Sequence, residues 1–122
     1  MNRSLEEVMA GVLMTITTET YPIIAPLDHA LPALVYTRVN TSAHIDLDDD
    51  DDTGRALFRI DCYARTISAA KATAKSVRVA FRNFTSDEVQ SVTLRNEFSM
   101  IDQSTPVRLY RVSLDFDVFG DV

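Results

Sequence analysis

The feature that most constrains this chain is a change of period between Arg55 and Arg82. From Ala56 to Ala64, every second residue (Ala56, Phe58, Ile60, Cys62, Ala64) is apolar or small, with Leu57, Arg59, Asp61 and Tyr63 between them. Period two is the mark of a strand with one buried face. Past Thr66, Ile67, Ala70, Ala74, Val77 and Phe81 recur at three- and four-residue spacing, which is one face of a helix. Thr66 is placed to cap that helix by accepting a backbone N–H of its first turn. Lys71, Lys75, Arg78 and Arg82 form a second stripe on another face. A strand therefore feeds a helix through a very short turn, and the helix must fold back onto the apolar face of the strand's sheet.

The other elements follow from the same two periods. Ser4-Leu5-Glu6-Glu7 reads as a capping box. Leu5, Val8, Met9, Val12, Leu13 and Ile16 then form one apolar stripe, predicting a first helix from about Ser4 to Thr17. Residues Tyr21 to Pro32 contain three prolines and read as an extended connector, which Ile23, Ile24, Leu27 and Leu31 can tack to the body. Leu34 to Asn40 is rich in β-formers and predicts the first strand. Residues Ser42 to Gly54 form a polar, acidic loop ahead of the strand described above. After a polar connection from Asn83 to Gln90, Ser91 to Ile101 alternates Val92, Leu94, Phe98 and Met100 against Thr93, Arg95, Glu97 and Ser99, with Asn96 breaking the pattern. Gln103 to Pro106 predicts a turn. Val107 to Phe119 predicts the last and longest strand, with Tyr110, Val112, Leu114, Phe116 and Val118 on one side.

The predicted class is α+β in the order α-β-β-α-β-β, with two helices on one face of a four-stranded antiparallel sheet. The spatial order 1-2-4-3 puts the last strand beside the second. With 122 residues, the chain is expected to form one domain over residues 1–122. The predicted shared core is Phe58, Ile60, Val77, Phe81, Val112, Leu114 and Phe116.

Composition bounds the function. No apolar run is long enough to span a membrane. The first 14 residues carry Glu6 and Glu7 and no basic region ahead of an apolar core, so no secretory signal is expected. Cys62 is the only cysteine, which excludes an internal disulfide and suits a reducing compartment. The net charge of -6 comes from one run: Asp46, Asp48, Asp49, Asp50, Asp51 and Asp52. The remaining 12 acidic side chains balance the 12 basic ones, so the overall charge does not suggest nucleic-acid affinity.

Signals for catalysis are poor. Three glycines cannot build a phosphate-cradling loop, His29 and His44 lack ligand-like spacing, and Cys62 falls on the buried side of its strand. No catalytic residue, cofactor or metal ligand is picked out, and the expectation is a protein that is not an enzyme. Within the aspartate run, Asp48, Asp50 and Asp52 are spaced as in a calcium loop. The sixth position is Thr53 rather than glycine and the twelfth is Arg59 rather than glutamate, which argues against a dedicated calcium site.

Surface charge is more informative. The basic stripe Lys71, Lys75, Arg78 and Arg82 is either the wet face of a helix or a match for an acidic surface on a neighbouring subunit. On the non-core side of the sheet, Arg59 and Asp61, Arg95 and Glu97, and Arg111 and Asp115 offer both signs on each strand. Leu57, Tyr63, Leu109, Ile101 and Phe119 lie near the strand ends. The bland reading is cross-strand ion pairs in water. The alternative is a subunit interface with apolar edges and a mixed-charge middle.

Four stretches together resemble the tail-terminator, or tail-completion, proteins of long-tailed bacteriophages. They are the proline connector from Pro26 into Leu31-Pro32-Ala33-Leu34-Val35-Tyr36, the strand Phe58-Arg59-Ile60-Asp61-Cys62-Tyr63-Ala64, the Ala-, Lys- and Val-rich helix from Ser68 to Phe81, and the closing strand from Leu109 to Val118. The resemblance covers nearly the whole chain and carries no catalytic motif. It implies a virion protein at the head–tail junction, assembled in the host cytoplasm. Its subunits would form a ring, commonly six-fold, that caps the tail tube, stops its polymerisation and offers a docking surface to the head. The implied partners are further copies of the chain, the tail tube protein and a head-completion or connector protein. DNA would pass through the channel without specific binding. The alternatives are a neighbouring neck protein, such as a head-completion or connector adaptor, and a small α+β enzyme. In a ring, the run from Asp46 to Asp52 is expected to face the channel or its mouth, where carboxylates repel phosphates. Loss of rings on changing these aspartates to Asn would mark a subunit contact instead, with the Lys71, Lys75, Arg78, Arg82 stripe next door or through a divalent ion.

Overall fold

The computed structural model describes residues 3–25, 30–43, 53–102 and 108–122. Its elements run α1 (Leu5–Met14), β1 (Thr20–Pro22), β2 (Ala33–Ala43), β3 (Thr53–Ala64), α2 (Ile67–Phe81), β4 (Val89–Asp102) and β5 (Leu109–Asp121). The expected class holds, with one strand more than expected. The sheet has five strands in the order β1-β2-β3-β5-β4, and it is mixed. β1 pairs parallel with β2, through Thr20–Leu34, Tyr21–Val35 and Pro22–Tyr36, and the other pairings are antiparallel. For the four predicted strands, the expected spatial order is the observed one.

β1 corrects the reading of residues 21–32 as connector only. Glu19 O accepts from Leu34 N at 2.8 Å and Tyr36 O accepts from Ile23 N at 2.9 Å. Pro22 has no N–H to offer and sits on an edge strand, where none is required. Ile23, at φ 65°, and Ile24 point to solvent and do not tack the segment down. Leu31 is half-buried, whereas Leu27 and the turn predicted at residues 103–106 lie outside the described residues.

Both helices start where their caps predict. Ser4 Oγ accepts from Glu7 N at 3.2 Å while Ser4 N donates to Glu7 Oε1 at 3.4 Å, completing the capping box. Thr66 Oγ1 accepts from Ala69 N at 3.1 Å. Leu5, Val8, Met9 and Leu13 of α1 meet Ala70, Ala74, Val77 and Phe81 of α2 in a single core. The sheet contributes Leu34, Phe58, Ile60, Cys62, Val112, Leu114 and Phe116 to the same cluster, so every predicted core residue is buried. Ile67 is the exception in the α2 stripe; it lies in the first turn and is exposed.

Register shifts decide which residues share a face. In β2 the pairing skips Val39, and in β4 it skips Gln90 and Arg95. An extra residue in one strand reverses the alternation beyond it. Leu94 stands opposite the core residue Phe116, and Glu97 stands opposite the core residue Leu114. Phe98 and Met100 stand opposite Ser113 and Arg111. Glu97 and Ile101 are thus on the helix side, while Phe98 and Met100 are on the bare side, the reverse of the sequence expectation. The irregularity at Asn96 is this bulge.

Candidate functional site

The side of the sheet away from the helices is covered by no element among the described residues. Its map follows from the register. One row across β2, β3, β5 and β4 is Thr37, Arg59, Asp115 and Asn96. The next is Val35, Asp61, Ser113 and Phe98, and then Ala33, Tyr63, Arg111 and Met100. Arg59 donates Nε to Asp115 Oδ1 at 2.9 Å and Nη2 to Asp115 Oδ2 at 3.3 Å. The same guanidinium carbon lies 5.5 Å from the centre of the Phe98 ring. The Asp115 hydrogen bond, followed by its charge and that of Asp61, outweighs desolvation and raises the Arg59 pKa. Ser113 Oγ donates to Asp61 Oδ1 at 2.5 Å. Further along, Asp117 takes Arg95 at 3.3 Å and Arg55 at 4.0 Å. Arg111 lies against the Met100 sulfur.

Five of the ten candidate interface residues, Arg59, Asp61, Arg95, Arg111 and Asp115, therefore share this bare face. Their pairing differs from the sequence-adjacent pairs: Arg59 meets Asp115 and Arg95 meets Asp117. Phe98, Met100 and Arg55 belong to the same face and were missed; Asp117 was expected on this side of β5, but not as the partner of Arg95 and Arg55. The break at Asn96 was the signal that could have moved Phe98 and Met100 there.

The other five candidates, Lys71, Lys75, Arg78, Arg82 and Glu97, form a second surface on the flank where α2 runs beside β4. Arg78 pairs with Glu97 across it. Lys71, Lys75 and Arg82 are exposed. Asp46, Asp48, Asp49, Asp50, Asp51 and Asp52 lie outside the described residues. Cys62 is fully buried, and burial raises its thiol pKa far above the ordinary value, so it is a core residue. Among the described residues, no group of three or more His, Cys, Asp or Glu side chains is placed to hold a metal. No helix of the described residues is long and apolar enough to cross a membrane.

A family model described as Tail completion protein gp17 matches residues 8–120. The chain belongs to this tail completion family. The match runs from within α1 nearly to the end of β5, so it takes in both surfaces. Membership makes the chain a structural virion protein of the phage tail or neck. Among solved structures, the tail completion chain is similar to a chain from the virion of a native gene transfer agent particle. The two are 16% identical with a TM-score of 0.60, over 94% of this chain and 85% of that one. At that identity the likeness concerns the fold. The sequence matches none of the curated proteins.

Proposed function

We propose that this tail completion protein is a tail terminator, acting as a closed, six-fold ring at the head-proximal end of the tail tube. The ring stops tube polymerisation and presents a docking surface to the head connector, and DNA crosses its channel without specific binding. The observation that carries this reading is the bare sheet face. A sheet of this size, with Arg59, Phe98, Met100, Tyr63 and Arg111 on its open side, has the apolar rim and mixed-charge centre of a protein contact. Closing a ring takes two different, complementary surfaces on each copy, because the contact is head to tail. The bare face and the α2–β4 flank differ in chemistry and lie on different sides of the subunit, as the two sides of a head-to-tail contact must.

Particle assembly without this chain tests the reading. Tails should then be over-long or frayed at the head-proximal end and should fail to join heads. In complete particles, labelled protein should form a ring at that end in electron micrographs. Tails of normal length that still join heads would overturn the terminator role. Label found on tail-less heads would place the protein in the neck as a head-completion adaptor.

A further inference from the structure

The flank between α2 and β4 has the features of a built docking groove. Its floor is apolar: Phe81, Phe116, Val92 and Leu94 line a groove of about 330 Å³ with Arg78 and Arg82 on its wall. Leu94 is 40% exposed, and Ile101, on the same side of β4 farther along, is 46% exposed. β4 is also the sheet edge, bonded to β5 alone, so its outer backbone groups are open to another strand. Above the groove runs the cationic stripe of α2. Arg78 is neutralised by Glu97, but Lys71, Lys75 and Arg82 have no ion-pair partner among the described residues.

This chain carries a segment of matching chemistry. Ile45-Asp46-Leu47-Asp48 alternates apolar and acidic residues, and Asp49 to Asp52 continue the acid. We propose that residues 45–52 of one copy dock in the α2–β4 groove of the next copy around the ring, with Ile45 and Leu47 on the apolar floor and the aspartates on Lys71, Lys75 and Arg82. The proposal rests on the ring reading and gives the run a neighbour rather than the channel as its surroundings. Geometry favours a second copy over the same one. The segment is anchored at Ala43 on β2 and Thr53 on β3, so it must go out and return, reaching about 15 Å at most. Lys71 stands at the start of α2, just past the far end of β3 from Thr53. The stripe from Lys71 to Arg82 is about 16 Å long. The Lys71 end of the stripe lies beyond that reach from Thr53 within one copy.

Charge exchange tests this in the full chain. One variant carries Asp48→Lys, Asp50→Lys and Asp52→Lys; another carries Lys71→Glu, Lys75→Glu and Arg82→Glu; a third carries both sets. Self-association is followed by analytical ultracentrifugation at several salt concentrations, with thermal midpoints confirming that each variant folds. Each single set should weaken association about tenfold or more, and the combined set should restore it. Single sets that assemble like the wild type, or a combined set that fails to recover, overturn the proposal. In a Cys62→Ala background, Leu47→Cys with Leu94→Cys should oxidise to a ladder of linked chains. A link formed only within single chains, or no link, also overturns it. Wild-type protein that stays monomeric and is absent from tails defeats the ring reading. Wild-type rings indifferent to the swaps defeat only the docking.

Discussion

Arg59 and Asp115, 56 residues apart in the chain, form a two-point ion pair at the centre of the bare sheet face, with Nε–Oδ1 at 2.9 Å and Nη2–Oδ2 at 3.3 Å. The partners are unequally covered: the Arg59 side chain is 41% exposed and that of Asp115 only 12%. Removing the arginine strands a carboxylate with little access to water, whereas removing the aspartate leaves a guanidinium that water can reach. Arg59→Met should therefore cost about 1–3 kcal/mol and Asp115→Ala less, in urea denaturation of both variants. The reverse order would show that the pair is a solvated surface contact.

The core prediction centres on Phe81 at the end of α2. Its ring lies 5.2 Å from that of Phe116 and 5.8 Å from that of Phe84, centre to centre. Phe81 and Phe116 are almost completely buried, and they join helix to sheet. Either residue changed to Ala should lose about 3–5 kcal/mol in chemical denaturation. Losses under about 1 kcal/mol at both sites would contradict this packing.

Glu88 makes stability depend on acid pH. Its buried carboxylate receives Arg3 through Nε at 3.2 Å, Nη2 at 3.3 Å and the backbone N at 3.0 Å, and Ser86 Oγ adds a bond at 3.1 Å. The Arg3 side-chain bonds, then its backbone bond, pull the Glu88 pKa from 4.5 to about 2. The lowered value means the folded state holds the proton less tightly than the unfolded chain. The contribution is thus complete above about pH 4.5 and is lost as pH falls through about 2. Glu88→Gln should lower the thermal midpoint near neutral pH, and its curve should converge with the wild type on acidification. A constant gap across that range would refute the assignment.

Two glycines should respond in opposite senses to alanine. Gly11 sits in α1 with nothing within 4 Å of an added Cβ, so Gly11→Ala should stabilise by about 0.5–1 kcal/mol through helix propensity. At Gly120 an added Cβ would stand 2.1 Å from the Glu88 carbonyl oxygen, so Gly120→Ala must displace β5 from the start of β4. Thermal melts should move up for the first and down for the second.

Much was legible in the residues themselves because its physics is local. The Ser4–Glu7 capping box and the Thr66 cap act over three residues. The alternation of β3 and β5 and the apolar stripes of both helices identified the buried faces of those four elements, and with them the predicted core. What only the tertiary structure decided is non-local. β1 is three residues long and carries no period to read; it exists because β2 offers it a parallel edge. The β4 bulge at Arg95 is set by pairing with β5, and it moves Glu97 to Arg78 and Phe98 to Arg59. Charge order along the chain names the ions available, but a salt bridge forms between neighbours in space, and the strand register chooses those neighbours.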